Sequence, residues 1–395
     1  MVQQQRRFDA RLLFIGLFLT SSWFVAAAAF SQALPHLRTV MGADNRLEPS
    51  PCFEFACFNR SAYDANTLAA IGAQLPNVYV FLRIPAGPWY EQMVLRNRSA
   101  LPGGYDTAGY RWPVAVVGDD VFATAYQSGP AVPTTCATHV WGRTGYRWQI
   151  KQVINTCAGV FAKDGPRILF VTGAASPIYV RGADGLYTQQ SVLIPPAGVR
   201  ASGAAALHNW TVVIGESSAN SGTGAAHVYQ YIDSAWVLTK SLVPDAGGAG
   251  TAFGTAVGVY DYNIAVGAPG AINPSGVGRG LVYLYTGVGE NWSISQEIAE
   301  PPGTNSSFGT ALALRGRRLV VSARNGYPYF QGPSGYLFER GVRESAWVAR
   351  ATLAGGGLGI FLSGNTAMVD SEGLRFGTYP SVVNLPALLE PDLMP

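Results

Sequence analysis

An all-β fold is what this sequence predicts, a seven-bladed β-propeller of four-stranded antiparallel blades behind an N-terminal hydrophobic leader helix, and three observations carry it. A unit of about fifty residues recurs along the chain; each copy holds four short apolar runs; and each outer run opens on an aromatic residue with an aliphatic six positions later. A unit of that size cannot bury its own apolar face. Copies must therefore stack, and a closed ring of sheets lets every face find a neighbour.

The clearest copies read FGTAVGV (253–259), NIAVGAP (263–269), LVYLY (281–285) and WSISQEI (292–298), then FGTALAL (308–314), LVVSA (319–323), GYLFE (335–339) and WVARATL (347–353). Aligned on the third run, earlier copies appear at VYVF (78–81), THVW (138–141), IYVR (178–181) and VYQY (228–231). The aromatics that follow are Trp89, Trp148, Tyr187, Trp236, Trp292 and Trp347, with Leu95, Ile154, Leu193, Leu242, Ile298 and Leu353 six residues on. In a regular strand an offset of six places both side chains on one face, so each outer strand is expected to press both against the same neighbour. Inner pairs are expected at 53–59 with 67–73, 112–118 with 121–125, 157–162 with 168–174, 203–207 with 211–215, 253–259 with 263–269, and 308–314 with 319–323. A seventh, decayed copy runs through LGIFLSG (358–364), TAMVD (366–370) and SVVNLPALL (381–389), where Pro386 suits an edge strand.

Ahead of the repeats, Arg6, Arg7 and Arg11 precede an apolar run from Leu12 to Phe30, followed by small residues at Ala27, Ala29, Ser31 and Ala33. That is the pattern of a secretory leader or of an uncleaved signal anchor. The chain divides accordingly into a signal peptide or anchor (1–33), a linker (34–52), the propeller (53–389) and a short tail (390–395).

Charged residues are only 13% of the chain, about half the usual soluble share, while Gly (47) and Pro (25) are abundant. The surface must then be Ser, Thr, Asn and Gly, as in many extracellular β-proteins. Net charge is +3, and no basic stripe is interleaved with aromatics, so nucleic acid is disfavoured as a partner. Cys52, Cys57, Cys136 and Cys157 form an even set that a secreted chain would oxidise. Three pairings are open, and proximity in the ring favours Cys52 with Cys57 and Cys136 with Cys157. Sequons at Asn59, Asn97, Asn209, Asn291 and Asn305 are candidate glycosylation sites, although burial of Trp210 and Trp292 could hide two of them.

Phe253-Gly254 ahead of Gly267-Ala268-Pro269, and Phe308-Gly309 ahead of Ser322-Ala323-Arg324, resemble FG-GAP repeats, which build the seven-bladed propeller of integrin α subunits and of many secreted or surface proteins. The resemblance is specific over about 250–355 and looser elsewhere. It implies extracellular recognition or cell adhesion rather than catalysis. Integrin-type repeats often carry a calcium loop of alternating acidic residues, and none is present: the matching turns read GDD (118–120), YDYN (260–263) and RGRR (315–318). Several converging carboxylates are what calcium requires, so no metal site and no cofactor is expected.

Antiparallel order puts the inner hairpin turns and the links to the outer strands on one rim, and the long Gly/Pro/Asn loops on the other. Loops on a rigid scaffold commonly carry recognition. Candidate ligand-binding residues there are Asn325, Tyr327, Tyr329, Phe330 and Gln331 in one loop, Tyr105 with Tyr110, Arg96 and Arg98 in another, and Arg279. Exposed rings beside amide and guanidinium donors suit an extracellular protein or glycan.

No G-x-S-x-G, H-E-x-x-H or G-x-x-x-x-G-K-[ST] occurs. His139, His208 and His227 each have a structural explanation, and Asp119-Asp120 reads as a turn rather than an acid/base pair. The chain is therefore expected to be a secreted or surface-exposed, non-catalytic glycoprotein that recognises a protein or glycan. It would touch a membrane only through its N-terminal segment. Two alternatives are an assembly component of an envelope, coat or matrix, and an enzyme with a site in the central channel.

Overall fold

The computed structural model of the chain describes residues 39–40, 58–64, 67–72, 77–83, 89–96, 109–129, 132–145, 147–173, 175–196, 204–244, 250–272, 279–300, 307–323, 335–341, 346–353, 360–363, 366–369 and 381–384. A short strand β1 (Thr39–Val40) comes first. The first sheet holds β2 (Phe58–Asp64), β3 (Thr67–Gly72), β4 (Val78–Arg83) and β5 (Trp89–Leu95). The second holds β6 (Gly109–Val117), β7 (Asp120–Gly129), β8 (Val132–Thr144) and β9 (Arg147–Ile154). The third holds β10 (Val160–Asp164), β11 (Arg167–Val171), β12 (Ser176–Arg181) and β13 (Tyr187–Leu193). In the fourth are β14 (Ala205–His208), β15 (Thr211–Glu216), β16 (Ala225–Ile232) and β17 (Ala235–Leu242). The fifth is β18 (Ala256–Tyr260), β19 (Asn263–Ile272), β20 (Arg279–Val288) and β21 (Asn291–Ala299). In the sixth come β22 (Leu312–Arg315), β23 (Arg318–Ser322), β24 (Gly335–Glu339) and β25 (Val348–Leu353). Last come β26 (Ile360–Ser363), β27 (Thr366–Val369) and β28 (Ser381–Asn384).

Every one of these sheets is an antiparallel meander in chain order, apart from β1, which adds to the outer edge of the sixth by pairing parallel with β25. The first strand of each sheet touches the first strand of the next, and β26 touches both β22 and β2. Sheets radiating from such an inner ring form a β-propeller.

The repeat's two-residue hairpin turns explain its local shape. Gly118, Gly165, Asn209, Asp261 and Gly316 all open an inner turn with φ between 49° and 58°. That conformation matches the right-handed twist of the flanking strands and favours Gly, Asn or Asp at this position. The expected inner strands at 253–259 and 308–314 begin later than predicted, at Ala256 and Leu312, because Gly254 and Gly309 hold φ near 87° and 86° and break the extended backbone. In the first sheet the inner strand is Phe58–Asp64 rather than 53–59, paired from Asp64 against Thr67.

Those two glycines also explain the recurring FG. A Cβ added at Gly267 would run into the carbonyl of Gly309, and one at Gly280 into that of Phe308. One sheet earlier, Gly215 meets Gly254 and Gly224 meets Phe253 in the same way. The backbone of each FG thus lies directly on glycines of the preceding sheet, while Phe253 and Phe308 are fully buried between the two.

The six-residue spacing carries a correction. Trp148 packs towards the first sheet and Ile154 towards the third; Tyr187 faces the second sheet and Leu193 the fourth. Trp236 likewise packs against the third sheet, whereas Leu242 joins the core shared with the fifth, and Trp292 and Ile298 divide in the same sense. The two side chains therefore point to opposite neighbours. The cause is a one-residue bulge between the third and outer strands, present in each of the first six sheets, which shifts the alternation by one.

Polar ties complete the seams. Asp119 is exposed in its turn and pairs with Arg143 at 3.1 Å. Asp120, buried, accepts from Lys151 Nζ at 2.7 Å, Arg181 Nε at 3.0 Å and the Tyr187 hydroxyl at 2.9 Å, joining the second and third sheets. Burial and the Asp120 charge push the Tyr187 phenol far up, so it stays a donor. The predicted bridge between Cys136 and Cys157 is present, with Cα atoms 5.6 Å apart, while Cys52 and Cys57 lie outside the described residues. Among the described residues no helix is long and apolar enough to cross a membrane, and the leader lies outside them.

Candidate functional site

Asn325, Tyr327, Tyr329, Phe330, Gln331, Tyr105, Asn97 and Asn305 lie outside the described residues. Arg279 opens β20 opposite Ile272, and Asn59 and Tyr110 are likewise placed only as strand residues. Of the remaining sequons, Asn291 is exposed beside the buried Trp292, whereas Asn209 is exposed beside an exposed Trp210.

What the structure brings together is chemistry on the opposite, short-turn rim, at the fourth and fifth sheets. Trp210 and Tyr262 take the second turn positions of the inner hairpins, and Ile232 and Val288 end the third strands where they lead into the outer turns. They are 46%, 65%, 43% and 57% exposed. Asp233, Asp261 and Glu290, all exposed, stand beside them. The two turns adjoin, since His208 and Asn209 both reach Asp261, and exposed apolar groups on adjoining turns beside charge suit an interaction surface.

The patch is held stiffly. Trp210 stacks on Tyr231 with centroids 4.8 Å apart, Tyr231 leans on Trp236 at 5.5 Å, and the Arg167 guanidinium sits 3.9 Å over the Trp210 ring. Next to it His208 stacks on Tyr260 at 4.1 Å, with Nε2 3.0 Å from Asp261 and Nδ1 3.5 Å from Asp164. Three consecutive sheets meet in that imidazole. Burial alone would lower its pKa, but Asp164 and Asp261 together outweigh burial and raise it. Burial pushes the Asp164 carboxyl up, yet His208 and the Asn209 N–H, which donates to Asp164 at 2.7 Å, bring it below the ordinary value. The same joint recurs elsewhere on this rim: Asp64 accepts from the Gly118 N–H at 2.8 Å and pairs with Lys163 at 2.7 Å.

Sequence reasoning missed this patch although a signal was there. An aromatic at the tip of a two-residue turn, as in Asn209-Trp210-Thr211 and Asp261-Tyr262-Asn263, has no core within reach.

One row of residues resembles a hydrolytic relay in composition. His227, inside β16, lies 2.9 Å from Ser241 Oγ through Nδ1 and 3.6 Å from Glu216 Oε2 through Nε2. The imidazole is 5% exposed, and burial lowers its pKa against the raising effect of Glu216. The glutamate separation exceeds hydrogen-bond length, so the row is a polar tie facing the third sheet. Among the described residues no group of His, Cys, Asp and Glu is arranged to hold a metal ion.

No family model matches the sequence, and no curated protein matches it. Among solved structures, Kluyveromyces lactis Hsv2 is similar with a TM-score of 0.46 at 11% identity, over 81% of this chain and 90% of that one. The Hsv2 described as from Kluyvelomyces marxianus gives a TM-score of 0.46 at 12% identity over the same shares. At that level of likeness nothing about ligand or partner is taken from either.

Proposed function

We propose that this chain is a non-catalytic recognition protein: a closed, seven-bladed propeller of the FG-GAP type, exported from the cell, that binds a protein partner through the short-turn rim of its fourth and fifth sheets. The observation that carries this reading is the exposure of Ile232 and Trp210 on the turns of the fourth sheet and of Tyr262 and Val288 on those of the fifth, with Asp233, Asp261 and Glu290 close to them in the chain. Rigid aromatics lose little entropy on binding, and the acidic border favours a partner with basic groups around an apolar centre. The FG-GAP reading is supported by the glycine seats that receive Phe253-Gly254 and Phe308-Gly309. Export is supported by the bridge of Cys136 to Cys157, since such bonds persist in oxidising compartments.

The test uses residues 34–395, secreted and applied to cell surfaces. Tyr262→Ser with Val288→Ser removes exposed apolar groups without touching the core, and cell binding is expected to fall at least about tenfold, the effect of losing a hot-spot contact. Tyr329→Ala with Phe330→Ala probes the long loops in parallel. Unchanged binding by the first pair and loss by the second would move recognition to the opposite rim. Self-association in size-exclusion chromatography, with no cell binding, would favour the assembly-component reading.

A further inference from the structure

A second, separate site lies on the side of the ring, between the outer strands of the first and second sheets. There Met93, Leu95, Arg96, Trp141, Trp148 and Ile150 line a cleft of about 610 Å³, within the range of small-ligand sites. Its floor is made as the seam is made. Trp148 turns back onto the first sheet and donates from Nε1 to Gln92 Oε1 at 2.7 Å, while Trp141 stands opposite Ile150 across the β8–β9 pair. Ile150 and Arg96 are exposed, so the cleft is open to solvent along one side.

Two properties narrow the ligand. One wall is apolar, the half-buried indole of Trp141 beside the exposed Ile150, over the buried Trp148. Arg96 is the single charged residue of the lining and makes no ion pair among the described residues. An exposed guanidinium thus stands beside an indole wall. An acyl chain would want an enclosed tunnel, whereas the C–H face of a pyranose lies against an aromatic wall in an open cleft, and a planar guanidinium takes a carboxylate through two parallel hydrogen bonds.

We propose that this cleft binds a saccharide bearing a carboxylate, with the sugar ring against the Trp141–Ile150 wall and the carboxylate on Arg96.

The experiment titrates the full secreted chain with cellobiouronic acid, cellobiose and octanoate, read by intrinsic tryptophan fluorescence and by calorimetry. The acidic disaccharide is expected to bind at least about tenfold tighter than either of the others, the scale of one charge-assisted contact. Arg96→Gln, an exposed change that leaves the fold intact by circular dichroism, is expected to remove that preference, and Ile150→Ser to weaken both sugars. Failure of cellobiouronic acid to bind, equal binding of cellobiose or of octanoate, or an Arg96→Gln chain that keeps its preference would each overturn the proposal. Tyr262→Ser with Val288→Ser serves as the control and leaves these titrations unchanged.

Discussion

At the scale of single residues, His208 shows how a hairpin tip becomes a joint. Its imidazole lies between carboxylates of the third and fifth sheets, and its pKa is raised above the ordinary value of about 6.5. A raised folded pKa means that the stabilisation is complete below the unfolded value and is lost as pH rises through the folded one. His208→Gln should therefore cost on the order of 1 kcal/mol near pH 6 and almost nothing near pH 9, measured as the difference in urea midpoint from the unmodified chain. A pH-independent difference would contradict the ion-pair account. His227 has the opposite sign, since burial lowers its pKa and stability falls as it is forced to protonate, so the difference between the two chains isolates His208. At this scale the sequence was partly legible. That Asp119 sits in a turn follows from Gly118 beside it, but Asp120 opens β7 instead, and the three donors that converge on it come from Lys151, Arg181 and Tyr187, which no local pattern connects.

Among elements, the informative joint is the backbone contact between FG and the glycines of the sheet before it. Gly267→Ala is expected to destabilise by about 1–3 kcal/mol, because the added methyl meets the Gly309 carbonyl and the two sheets must part. Gly159→Ala, where the nearest atom is the Val171 carbonyl oxygen at 3.5 Å, should stay within about 0.5 kcal/mol, and denaturant melts of both decide the matter. Equal costs would remove the contact as the reason for the motif. Strand identity was legible here because the third runs are strongly apolar and each outer run opens on an aromatic: in the first six copies the predicted third strands and their outer partners are strands, while residues 385–389 of the seventh lie outside the described residues. Facing was not, since the bulge that sends Trp236 one way and Leu242 the other inserts Thr239 with no glycine or proline to announce it.

For the whole molecule, closure depends on β26, the strand that touches both β22 and β2. A chain ended after Leu353 is expected to unfold at lower denaturant than the full chain, with hydrogen-exchange protection lost first in β2 and β22 and last in β14. A truncated chain as stable as the full one would show that the seventh sheet does not close the ring. The repeat period made the ring readable, because periodicity survives when single positions drift. The surface patch at Trp210 and Tyr262 was not readable as a unit, since the residues lie on turns about fifty positions apart and only the curvature of the ring brings them to one edge. The bulged outer strand has a further consequence for how such a wheel changes. With an aromatic grip behind and an aliphatic peg ahead, each of the five seams from the first sheet to the sixth has a front and a back, as overlapping roof tiles do. Whole units added or dropped leave each seam intact, whereas a unit replaced by one lacking the extra residue would offer both grips to the same side and leave a gap on the other.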